Sequence, residues 1–154
     1  GDIGKIFTRD TPDPRLNRPL TLNDHLSLSG LASQALRNQP SHWDLNTTGG
    51  QVIQAATEGD PYAIELIEGA AKMLGENLAP LIHLLRPKQI TIAYPVSIAA
   101  ANFLLPLRAA ATAASGLGGL ELPQFSASQF GHRQPELEAL APAISALRLR
   151  ARSR

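Results

Sequence analysis

The chain has 154 residues, 44% of them hydrophobic, with a formal net charge of +1 and no cysteine. That suits one domain with a substantial core, and it offers neither a general attraction to nucleic acid or anionic membranes nor a disulfide or thiolate metal site. No charged segment leads into an apolar run at the start, and no apolar run approaches the length of a membrane span, so the expectation is a soluble cytoplasmic protein.

Residues 2–8 alternate weakly, with Ile3, Ile6 and Phe7 apolar, and predict a strand or strand end. Residues 9–24 predict a loop, because Pro12, Pro14 and Pro19 remove backbone donors and Asp10, Asp13, Asn17 and Asn23 favour turns. Its length marks it as functional or as the remnant of a lost site. Ser27 or Ser29 caps a helix through Leu31, Ala35 and Leu36. Residues 38–46 form another loop, which holds Trp43, the one tryptophan. Thr48-Gly49-Gly50 then leads into a short helix over 51–58, ended by Gly59 in the left-handed conformation.

The longest periodic stretch follows. Asp60 is a good N-cap and Pro61 fits the first helical position, where no N–H is needed. Ile64, Ile67, Ala71, Leu74, Leu78, Ile82 and Leu85 recur at helical spacing. Pro80 should bend this helix or leave a carbonyl unpaired. Arg86-Pro87-Lys88 stops it, and the β-branched residues of 89–93 predict a short strand. A second helix is predicted over 97–115, kinked or broken at Pro106. Gly116, Gly118 and Gly119 make a turn. Residues 120–127 predict a strand with Leu122 and Phe125 inward, and Pro123 marks an edge or a bulge. After a turn at 130–132, residues 135–149 predict a terminal helix, disturbed at Pro142. Residues 1–147 form the domain, and 148–154, with Arg148, Arg150, Arg152 and Arg154, a solvated basic tail. The order of elements favours an α/β layer with helices on a sheet.

Gly59-Asp60-Pro61 and, beyond the helix, Leu84-Leu85-Arg86-Pro87-Lys88-Gln89-Ile90-Thr91-Ile92 resemble the ROK family of repressors, open reading frames and kinases. Its members have a Gly-Asp opening, an amphipathic helix, a turn close to Leu-Asn-Pro-Glu and a buried strand. Upstream, Gly1-Asp2-Ile3-Gly4-Lys5-Ile6 is similar to the family's Gly-Glu-x-Gly-His segment. The resemblance covers nearly all of the chain but only the C-terminal part of a family member, so the opening without Met reads as the middle of a longer protein. It implies an actin-like ATPase/ribonuclease-H-like α/β lobe, a mixed sheet with helices packed on it, of which only part is present. The ATP phosphate loop, the catalytic Asp and the first strands would precede Gly1. A lobe without those strands should have an open sheet edge that invites pairing with another chain.

The resemblance also bears on the sites. In the family the His of that segment binds sugar hydroxyls and a structural zinc. Here Asp2 and Lys5 stand at the Glu and His positions, and a lysine cation would repel zinc. The family's cysteine-rich zinc loop would fall within 11–28, where this chain has none. His25, His42, His83 and His132 offer no ligand spacing. Asp2 remains as a carboxylate able to accept from a sugar hydroxyl, or else as a frayed loop acid. In the kinases the strand at 90–93 runs into a glycine pair beside the nucleotide, where backbone must approach closely; this chain has Tyr94-Pro95, a degenerate nucleotide position. Neither Gly49-Gly50 nor Gly116–Gly119 makes a phosphate loop, and no Gly-x-Ser-x-Gly occurs. Glu136 with Glu138, and Asp10 with Asp13, read as solvated charge. The expectation is no catalytic residue, no cofactor and no metal. The resemblance implies a non-catalytic, effector-sensing and oligomerisation lobe of a sugar-responsive transcriptional regulator, a homo-oligomer with a sugar effector and without direct nucleic-acid or membrane contact. The alternatives are the C-terminal lobe of a sugar kinase and a ligand-free assembly domain.

Overall fold

The computed structural model describes residues 3–8, 18–39, 41–93, 99–116 and 122–130, with single positions at 133, 136, 139, 140 and 142. Asp2, Tyr94 and Pro95, the loop at 9–17, the glycine turn at 118–119 and the basic tail lie outside the described residues, as does nearly all of the predicted terminal helix.

A 3-10 turn, Ile3–Lys5, opens the described chain. It is followed by α1 (Leu22–Leu26), α2 (Leu28–Asn38), α3 (Gly49–Glu58), α4 (Pro61–Leu85), β1 (Gln89–Ile92), α5 (Ala100–Ser115) and β2 (Gln124–Ala127). α4 is the element on which α1, α2, α3 and α5 all pack. Asp60 caps it, accepting the Ala63 N–H at 2.8 Å, with Pro61 in the first turn as the sequence predicts. Its stripe of Ala63, Ile67, Ala71, Leu78 and Ile82 joins Leu31 of α2, Val52 and Ile53 of α3, and Phe103 and Leu107 of α5 in one core. α4 and α5 approach most closely at Gly75: a β-carbon there would stand 2.5 Å from the Leu107 carbonyl oxygen. Glycine is required by that contact between two backbones.

Pro80 and Pro106 both lie inside unbroken helices. The break expected at Pro106 is absent because Phe103, Leu107 and Ala111 are all buried and hold α5 on α4 across the proline. α4 ends where the sequence predicts, but by an uncommon route. Arg86 takes the left-handed conformation at φ 43° and ψ 55°, and its N–H donates to the Ile82 carbonyl. Gly59 closes α3 at φ 95°, as expected.

β1 and β2 pair in parallel, Ile90 opposite Phe125 and Thr91 opposite Ser126, with α5 as the crossover. Of the expected mixed sheet, the described residues hold these two strands. Ile90, Ile92 and Phe125 pack on the helical core. The other face carries Gln89, Thr91 and Ser126, which bond one another: the Gln89 amide donates to Ser126 Oγ at 3.0 Å. β2 begins at Gln124, after the buried Pro123, later than the sequence predicts.

Two expectations near the start are corrected. The segment at 3–8 is a 3-10 turn followed by a single antiparallel bridge, Phe7 to Thr21, and not a strand. The loop drawn to Asp24 ends at Thr21, because Thr21 and Asp24 close a capping box that starts α1. A second such box, Thr48 with Gln51, starts α3 two residues earlier than predicted. Ser27, one of the two predicted caps, is the cap of α2.

Candidate functional site

α4 positions the surface features. Tyr62, Glu65, Gly69, Lys72, Met73, Glu76, Pro80 and His83 recur every three or four residues and share one face of it. Two open grooves run along this face. The first, about 610 Å³, has α1 and α2 as its opposite wall; it is lined by the amides of Gln34, Asn38 and Gln39, the rings of Trp43 and Tyr62, and Glu65 and Glu68. The second, about 950 Å³, lies between α4, the small residues Ala110, Ala113 and Ala114 of α5, and the segment at Phe7 and Thr8. The two grooves meet at Gly69, Lys72 and Met73.

Each described histidine engages a different partner. His25 is buried, with Nε2 3.3 Å from Thr8 Oγ1. His83 places Nε2 2.8 Å from the Ser115 carbonyl. A carbonyl only accepts, so Nε2 carries the proton, and His83 ties the end of α4 to the end of α5. His42 places Nε2 2.8 Å from Asp60 Oδ2. Asp60 is held below the usual carboxylate range, first by the Ala63 N–H and then by His42. Among the described residues, no three metal-ligating side chains converge.

Lys5, at the position where the resemblance expects a histidine, is exposed on the 3-10 turn. The turn is seated on α1: Leu22 N–H donates to the Ile6 carbonyl and Thr8 N–H to the Leu20 carbonyl, both at 2.9 Å. Gly4 lies so close to the Asn23 side chain that a β-carbon would displace it. Sequence reasoning missed the most strongly polarised group. Asp24 receives a two-pronged bond from Arg18, at 2.7 and 2.8 Å, and bonds from the backbone and hydroxyl of Thr21. Arg18 above all, and then the Thr21 donors, hold its carboxyl well below the usual range. The signal was present as Thr21-x-x-Asp24.

No protein-family model matches the sequence, and no curated protein does. Solved structures do. A ROK family transcriptional regulator, a homologue of the E. coli MLC protein, superposes with a TM-score of 0.73 at 18% identity over 87% of this chain. The fold is that of the ROK family. A ROK glucokinase from Streptomyces griseus, in complex with glucose and AMPPNP, superposes at 0.62 with 22% identity over 75% of the chain. A ROK hexokinase from Thermus thermophilus gives 0.63 with 20% identity over 86%. The architecture expected from the sequence, part of an actin-like α/β lobe, is therefore borne out. The chain spans 35%, 42% and 43% of the lengths of these three ROK structures, respectively. Among the described residues, no helix is long and apolar enough to cross a membrane.

Proposed function

We propose that the chain is the C-terminal ROK lobe of a sugar-responsive transcriptional regulator, working in the cytoplasm without catalysis and assembling as a homo-oligomer. The observation that carries this reading is the superposition on the regulator, 0.73 over 87% of the chain, against 0.62 over 75% for the glucokinase. The substitutions at the resemblance positions support it. Lys5 stands for a sugar- and zinc-binding histidine, and Tyr94-Pro95 for a glycine pair beside the nucleotide, while Asp2 keeps a carboxylate for a sugar hydroxyl. In this reading residues 1–147 are the lobe and 148–154 a tail, with DNA contact made elsewhere in the protein.

The glucokinase and hexokinase share the fold, so a sugar-kinase lobe is the second reading. Phosphoryl transfer needs a phosphate cradle, a metal site and a base. The native polypeptide discriminates the two. Its mass is measured first, then its melting temperature with a panel of sugars, then ATP consumption in their presence. A sugar at about 100 times its Kd stabilises the folded state by about 2.7 kcal/mol. A sugar-dependent rise without ATP consumption is the expected result. Sugar-dependent ATP consumption would establish the kinase reading instead, and insensitivity to both would leave a ligand-free assembly domain.

A further inference from the structure

The loop at 41–47 forms one wall of the first groove through Trp43. Its own bonds make it a compact unit: His42 and Trp43 N–H both donate to the Gln39 carbonyl at 3.0 Å, and Asp44 accepts the Asn46 N–H at 2.8 Å and the Thr47 hydroxyl at 3.2 Å. Among the described residues, one side-chain hydrogen bond ties this unit to the start of α4, that of His42 to Asp60. The His42 ring also stands edge-on to Trp43, with centroids 4.7 Å apart, and tilted against Tyr62 at 5.0 Å. The two aromatic rings of the groove are thus positioned around one imidazole.

Asp60 is fixed independently of the loop. Its Oδ1 caps α4 through the Ala63 N–H, and Oδ2 is left to face His42. A protonated imidazole makes a charge-assisted bond to such a carboxylate, about twice as strong as a neutral one. The other charged or titratable groups on the elements that meet here are Tyr62, Glu65, Glu68, Lys72, Glu76 and His83 of α4, Arg37 in the last turn of α2, and Asp44 of the loop itself, with Tyr62 against the imidazole.

We infer that the loop at 41–47 is a proton-controlled latch: protonation of His42 strengthens its bond to Asp60 and tightens the loop, with Trp43, on the first groove and the N-terminus of α4, and deprotonation weakens that hold.

Trp43 is the one tryptophan, so its accessibility reads the loop directly. The experiment is acrylamide quenching of its fluorescence from pH 8 to pH 5, in the protein and in His42→Gln and Asp60→Asn. Asparagine is as good an N-cap as aspartate, so the second variant removes the charge while keeping the helix start. The quenching constant is expected to fall about two-fold on acidification in the parent protein and to stay flat in both variants. His25→Gln, which removes the other histidine of the groove, should leave the response intact. A flat profile in the parent protein overturns the latch, as does an acid response that survives in either variant. The assay uses no sugar and no ATP, so its outcome is independent of the proposed regulatory function.

Discussion

At the scale of single residues, the described part of the molecule is fixed by polar groups that act twice. Asp24 starts α1 through Thr21 and anchors Arg18 at the far end of the preceding segment. A carboxyl whose folded-state pKa is depressed contributes stability above its unfolded pKa, and that contribution fades as pH falls through the folded value. Asp24 lies well below the ordinary range. Asp24→Ala should therefore lower the urea midpoint at pH 7, and the difference from the parent protein should begin to shrink as pH falls through about 4 and vanish only in strong acid. Asp2 belongs to the same scale, although it lies outside the described residues. If it accepts a sugar hydroxyl, Asp2→Asn should reduce the sugar-induced rise in melting temperature while leaving the melting temperature without sugar unchanged.

At the scale of elements, two substitutions on α4 separate packing from backbone conformation. Gly75→Ala would push a methyl group against the Leu107 carbonyl and Ala110. Overpacking of that kind costs about 1–3 kcal/mol, or about 2–12 °C in melting temperature for a chain of this size. Arg86→Gly should act in the opposite direction. The left-handed conformation is costly for an L side chain and ordinary for glycine, so a gain of about 0.5–1 kcal/mol is expected in thermal melts. The helices were legible in the sequence because their signals are local: Asp60-Pro61 before a periodic stretch, and Gly59 after one. α1 was not, since five residues carry too little periodicity to outweigh the turn-forming residues before them, although its Thr21-x-x-Asp24 start was there to read. Pro106 left a kink or a break open, and the burial of Phe103, Leu107 and Ala111 removes the break by holding the helix together. Nor does Gly75 have a sequence signature; only the approach of α5, more than thirty positions further on, makes it necessary. The grooves were illegible for the same reason, since they are made by the spacing of α4 from α2 and α5.

At the scale of the whole molecule, the sheet is the unusual part. Parallel sheets are ordinarily covered on both faces and extend over several strands. Here two described parallel strands pack one face on the helices and present Gln89, Thr91 and Ser126 on the other. Strand edges of this kind pair with further strands. The proposed homo-oligomer would place strands from two copies together, and lysine is the residue that most effectively blocks such pairing. Thr91→Lys should shift the protein toward monomer in light scattering over a dilution series, with unchanged far-UV circular dichroism. An unchanged oligomer would move the assembly surface away from the sheet.

The central place of α4 has a consequence for how the molecule opens. Its neighbours α1, α2, α3 and α5 each lean on it, whereas β1 and β2 are bound to one another across the whole of α5. Loss of the strands would uncover one edge of the helical layer, but loss of α4 would strip α5 of its main packing surface and leave α1, α2 and α3 only one another. Opening free energies within one domain range from near zero up to the global value. Native-state hydrogen exchange should accordingly show the amides around Ile67 to Leu78 exchanging only by global unfolding, and those of β1 and β2 exchanging earlier, as a separate unit. In refolding the order reverses: the helices assemble about α4 first, and the strand pair, the less deeply packed unit, forms last.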